Sequence, residues 1–136
     1  IRIPDWREDL LARATRICGG YSVGHCDMFN VFSYKRFVGA FLEFEASYKP
    51  MCDGELTVLI HGFAGDEKLK ITTRTEKIGG RYTTVEEYDG ECELELTHRD
   101  AMAFFFSLSS PYRTKISPAI RTALPIPVYI ENADHV

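Results

Sequence analysis

The sequence predicts a mainly β chain in a single domain, an antiparallel sandwich or barrel with one or two short helices near the N-terminus. Three observations predict it. The chain has 136 residues, one domain's worth. Its 45% hydrophobic content, with nine Phe and seven Tyr, is enough to build a core and argues against disorder. Helical spacing of apolar residues is confined to the first part of the chain. From residue 42 onward apolar and polar residues alternate in short runs separated by Gly, Pro and Asp.

The elements follow in order. Residues 5 to about 18 are expected to form a helix, with Asp5 as cap and Glu8 completing a capping-box pattern. Trp6, Leu10, Ala14 and Ile17 share a face, early acids and late bases suit the helix dipole, and Gly19-Gly20 stops it. A second helical stretch runs from Asp27 to about Arg36, with Met28, Val31 and Phe32 on one face. Strands are expected from there. Leu42 to Tyr48 alternates and ends before Pro50. Asp53-Gly54 turns into a strand whose inner face is Leu56, Val58 and Ile60, ending near Gly62. Lys68 to Thr75 ends before Gly79-Gly80, and Tyr82 to Val85 is short. After Asp89-Gly90, Glu91 to Thr97 places Cys92, Leu94 and Leu96 on one side. Ala103 to Leu108 is a continuous apolar run, expected as a buried strand. A loop with Ser109, Ser110, Pro111 and Pro118 leads to a last strand, Ile126 to Ile130. The expected core is Leu42, Phe44, Leu56, Val58, Ile60, Leu94, Leu96 and Phe104.

Charge and composition exclude several function classes. A net charge of -4 and a pI near 5.6 do not suit a duplex-binding surface. Bases concentrate at Arg2, Arg7, Arg13, Arg16, Lys35 and Arg36, and acids at Glu86, Glu87, Asp89, Glu91, Glu93 and Glu95. The acidic row Glu91, Glu93, Glu95 reads as a solvated face rather than a cation site. No run approaches the roughly 20 apolar residues of a membrane span, and no secretory signal pattern is visible. The first residue is Ile1, which suits a product trimmed or processed from a longer chain. Cys18, Cys26, Cys52 and Cys92 lack zinc-site spacing, so neither metal nor cofactor is expected.

Two fragments invite a serine-hydrolase reading. Gly20-Tyr21-Ser22-Val23-Gly24 matches G-x-S-x-G, and Leu59-Ile60-His61-Gly62-Phe63 looks like an oxyanion-hole segment after a strand. A charged helical pattern, not a buried strand, precedes Ser22. The two fragments come in reversed order, and the chain is too short for the required parallel sheet. His98-Arg99-Asp100 matches the kinase triplet without its downstream Asn or a phosphate loop. The expectation is that the chain is not an enzyme. Tyr34-Lys35-Arg36-Phe37, the one basic-aromatic cluster, reads as packing rather than a single-strand nucleic-acid platform.

The stretch from Met28 through Tyr48, followed by Gly54 to Ile60, resembles the capsid jelly rolls of picorna-like positive-strand RNA viruses. There a short amphipathic helix leads through an aromatic residue into a strand opened by small residues, as at Gly39-Ala40, and a Gly turn starts the next. Residues 6–14 are similar to a helix that precedes the barrel, 91–111 to a late strand and interface loop, and 126–136 to the start of a closing strand. The resemblance implies a β-sandwich of jelly-roll type. It implies a structural subunit of a non-enveloped icosahedral capsid, assembled in the host cytoplasm and carried in the virion. Its partners would be copies of itself or sibling subunits, around an RNA genome. Tyr34, Phe37, Phe63 and Tyr112 are then candidates for subunit interfaces, and Arg2, Arg7, Arg13 and Arg16 for the RNA side. Two rival readings remain. One is a secreted or surface binding module stapled by Cys18–Cys26 and Cys52–Cys92. The other is a hydrolase with Ser22 as nucleophile.

Overall fold

The computed structural model describes residues 16, 30–107 and 110–126, and among residues 30–126 so described four strands and three short helices account for most of the backbone. Strand β1 is Gly54–Gly62, β2 Gly65–Ile78, β3 Arg81–Glu87 and β4 Leu94–Thr97. They form one mixed sheet in the order β3-β2-β1-β4. β1–β2 and β2–β3 are antiparallel, with Leu56 opposite Ile71 and Thr73 opposite Thr83. β1–β4 is parallel, with Val58 opposite Leu94 and Ile60 opposite Leu96. The β1–β2 turn is tight: a Cβ on Gly62 would lie 2.7 Å from the Gly65 carbonyl oxygen. The β2–β3 turn uses Gly79 and Gly80, both at positive φ (61° and 81°), a conformation only glycine adopts without strain.

Alternation gives the sheet two unlike faces. Leu56, Val58, Ile60, Leu69, Ile71, Leu94 and Leu96 point inward and are buried. Helix α1 (Tyr34–Ala46) covers that face mainly over β3. Ser33 caps it, its Oγ accepting from Arg36 N at 3.4 Å. Glu67 on β2 supplies a second, long-range cap. Its carboxylate accepts from Tyr34 N at 2.7 Å and Lys35 N at 3.0 Å, taking two N–H groups that the helix leaves unpaired. Helix α2 (His98–Phe106) follows β4 directly. Thr97 caps it: its Oγ1 accepts from Asp100 N at 3.2 Å and donates to the Asp100 carboxylate at 2.9 Å. A 3-10 helix (Pro111–Lys115) and helix α3 (Pro118–Thr122) complete the buried side, bringing Ile116, Ile120, Ala123 and Ile126 into the core.

Two glycines test how closely the layers approach. A Cβ on Gly54 would sit 2.8 Å from Ala119 Cβ and 3.3 Å from Ile120 N, so α3 rests on bare backbone there. On Gly39, inside α1, it would meet Val85 at an ordinary 3.6 Å. Gly54→Ala is expected to destabilise by about 1–3 kcal/mol through overpacking. Gly39→Ala is expected to stabilise by about 0.5–1 kcal/mol. Chemical denaturation of the two variants beside the parent checks both signs.

The sheet-rich expectation holds, and so do the strands read at 56–62, 68–75 and 82–85. The architecture differs in specific ways. The described residues form one mixed sheet with helices on one side, not two packed antiparallel sheets. Leu42 to Tyr48 is not a strand, because residues 42–46 belong to α1. Tyr34, Val38, Leu42 and Ala46 recur at helical spacing and are all buried, so the longer period wins over the local alternation. Phe44 leaves the expected core for the same reason: two helical residues from Leu42 it faces another way, and it is 64% exposed. The strand expected at 103–108 is not formed at 103–106, since residues 98–106 are helical behind the Thr97 cap, and Leu108 lies outside the described residues. The second helix begins at Tyr34 rather than Asp27. β4 begins at Leu94, so Cys92 lies before it. Of the expected 5–18 helix only Arg16, helical and exposed, is among the described residues. Of the 126–130 strand only Ile126 is, and it is buried outside any strand.

Candidate functional site

Two surfaces of the domain carry unusual side chains. The first is a flank of α1. Beside its buried stripe runs a second one, Phe37, Phe41 and Phe44, continued by Tyr48 two residues past the helix end, at intervals of four, three and four residues. That is the spacing of a coiled-coil seam. Phe37 and Phe41 are half-buried, their rings stacked with centroids 4.7 Å apart, and Phe37 meets Phe106 of α2 edge-on at 5.4 Å. Phe44 and Tyr48 continue the stripe outward. Their rings meet edge to face at 5.4 Å, yet Phe44 is 64% and Tyr48 59% exposed. Under them the helix end is anchored by Lys49, whose Nζ donates to Glu45 at 2.8 Å and to the Thr122 carbonyl at 2.6 Å. Glu45 is buried, and its Oε2 has no hydrogen-bond partner among the described residues. Burial raises its carboxyl pKa above the ordinary value, while Lys49 opposes the rise.

The second surface is the outer face of the sheet. Thr57, Leu59 and His61 of β1 lie beside Lys68, Lys70 and Thr72 of β2, with Thr84 and Glu86 of β3 and Glu95 of β4 flanking. Charges there neutralise one another, as in the Lys70–Glu55 pair at 3.0 Å. An open groove on this face near the β2–β3 turn is lined by both signs, Arg74 and Arg81 with Glu55 and Glu86, and has no single preference for a charged ligand. His61 sits at the end of β1 with Nδ1 3.0 Å from Asp66 and Nε2 2.8 Å from Glu95. Both ring nitrogens therefore face carboxylates. Among the described residues no group of three or more His, Cys, Asp or Glu side chains is placed so that it could hold a metal ion.

The expected interface residues scatter. Tyr34 is wholly buried and cannot face a partner: its hydroxyl bonds His98 Nδ1 at 2.9 Å and the His98 carbonyl at 3.2 Å. Burial, reinforced by the Glu67 charge, raises its pKa well above that of a free tyrosine. Phe37 lies half-buried between α1 and α2. Tyr112 is half-buried, its hydroxyl donating to Asp100 at 3.4 Å. Phe63, on the β1–β2 turn, is exposed and meets Phe32 edge-on at 5.5 Å. Arg16 is exposed, and Arg2, Arg7, Arg13, Ser22, Cys18 and Cys26 lie outside the described residues. Cys52 and Cys92 are both free, so the Cys52–Cys92 staple is not formed. His98-Arg99-Asp100 is the first turn of α2, where Asp100 serves the cap. The exposed pair missed in the sequence is Phe44 and Tyr48. The 4-3-4 recurrence of aromatics was the signal for it, hidden by the local alternation.

Comparison with protein-family models, with curated proteins and with solved structures gave no match.

Proposed function

We propose that this chain is a non-catalytic association module that pairs with a second copy of itself through the outer flank of α1. The observation that carries it is the exposed Phe44–Tyr48 pair at the end of the seam-spaced aromatic stripe. A soluble domain gains nothing from holding two large rings in water, and contiguous exposed aromatics are what association surfaces present. The occupant follows from the spacing. A stripe repeating every four and three residues fits another helix with the same repeat, and a two-fold axis lets one patch serve both partners. The non-catalytic part is supported by His61, the polar side chain of the hydrolase-like segment. Both its nitrogens face carboxylates, which favours the protonated ring, and an imidazolium has no lone pair with which to act as a base.

The finer reading is a jelly-roll shell subunit of a non-enveloped icosahedral capsid, resident in the virion with sibling subunits and RNA. It rests on the resemblance of residues 28–60. The helical state of 34–46 and the single mixed sheet favour the plain association module over it. The free Cys52 and Cys92 do not favour the disulfide-stapled binding module.

Sedimentation velocity tests the proposal. The parent chain should sediment as a dimer or larger, and the Phe44→Ser/Tyr48→Ser double variant as a monomer with a melting temperature within a few degrees of the parent's. A parent that stays monomeric at high concentration overturns it. Closed particles in electron micrographs would extend it to the shell reading.

A further inference from the structure

The outer sheet face holds one imidazole where two carboxylates from different strands converge. His61 ends β1, Asp66 is its antiparallel partner on β2, and Glu95 comes from β4. The other charged groups near His61 on this face are Lys68 on β2 and Glu93, just before β4. Lys68 Nζ leans away to the Gly90 carbonyl at 3.4 Å, and Glu93 accepts from Thr57 N at 3.3 Å. Neither competes for the ring.

A neutral imidazole has one N–H and one lone pair. It can donate to Asp66 or to Glu95 but not to both, and its lone pair then faces the other carboxylate. Only the imidazolium satisfies both contacts. β4 depends on this tie more than any other strand does. It has four residues, and its only strand partner among the described residues is β1, through a parallel ladder. Parallel pairing is slightly the weaker kind.

We propose that His61 is a proton-operated clasp that fastens β4, and through it the start of α2, to the β1–β2 hairpin when protonated and loosens it when neutral. The direction follows from chemistry. The hydrogen bonds to Glu95 and then Asp66 raise the His61 pKa above 6.5. A folded-state pKa raised above the unfolded one gives stabilisation that is complete below the unfolded value. It is lost as pH rises through the folded value. The clasp is therefore closed in mildly acidic solution and opens above neutrality.

Amide exchange with NMR detection tests it, expressed as protection factors so that intrinsic exchange cancels. Between about pH 5.5 and 8.5, protection of Leu96 and Thr97 amides should fall roughly two- to fivefold. Ile71 in the sheet centre should not follow. His61→Gln and, separately, Glu95→Gln should flatten the Leu96 response. A flat parent profile, or the same slope in both variants, overturns the clasp. The dimer seam on α1 is untouched by either variant, so this outcome is independent of the association proposal.

Discussion

Arg113→Met is expected to lower the unfolding free energy by about 2–4 kcal/mol, read as a shift of the urea midpoint at unchanged slope. The Arg113 side chain is buried. Its Nε and Nη2 donate to the Phe104 carbonyl at 3.0 and 2.8 Å, and Nη2 also reaches the carbonyls of Ala103 and Ser107. The Phe104 carbonyl belongs to the last turn of α2, where intrahelical donors run out, and Ser107 is its C-cap, while the Ala103 carbonyl also accepts from Ser107 N at 3.1 Å. The positive charge also sits at the negative end of the helix dipole. Methionine fills similar volume but carries no donor, so the Phe104 and Ser107 carbonyls would lose the guanidinium that they accept from. Arg113→Lys keeps the charge but not the planar fork and should recover only part of the loss. An unchanged midpoint for Arg113→Met would mean that α2 is terminated some other way.

Tyr34 gives the second large effect and separates packing from surface roles. Tyr34→Ala should cost about 3–5 kcal/mol, as for other large buried aromatics. The ring is wholly buried and meets Phe105 at 5.9 Å and His98 at 5.8 Å. Tyr34→Phe keeps the ring and removes only the hydroxyl that holds His98, for about 1 kcal/mol. Neither substitution should change the sedimentation coefficient of the folded protein. Were Tyr34 an interface residue, Tyr34→Phe would alter association and spare the midpoint.

The parts of the fold legible in the sequence were those where one period dominates. Leu56, Val58 and Ile60 are buried with half-buried residues between them, Leu94 and Leu96 with an exposed one, and both runs are strands. α1 was obscured because it carries two apolar stripes. Tyr34, Val38, Leu42 and Ala46 face the sheet while Phe41, Phe44 and Tyr48 lie on the flank, and their overlap imitates alternation after residue 42. The helix at 98–106 was obscured by its run of Ala and Phe, which suits a buried strand or a helix equally. Thr97-His98-Arg99-Asp100 holds the deciding signal, a Thr N-cap whose Oγ1 accepts from Asp100 N. The parallel β1–β4 pairing was not legible, because strand order depends on contacts between distant segments that no local pattern records. The same holds for the site. His61 could be singled out by its His-Gly context, but its partners Asp66 and Glu95 are joined to it only by pairing across three strands.

The central claim is that the exposed flank of α1 is where copies of this chain meet. Backbone amide shifts followed on dilution test it residue by residue. The account predicts concentration-dependent shifts confined to residues around 41–49, with the outer sheet face at Thr57, Lys70 and Thr84 unmoved. Shifts that do not change on dilution, or that cluster on the sheet instead, would contradict it.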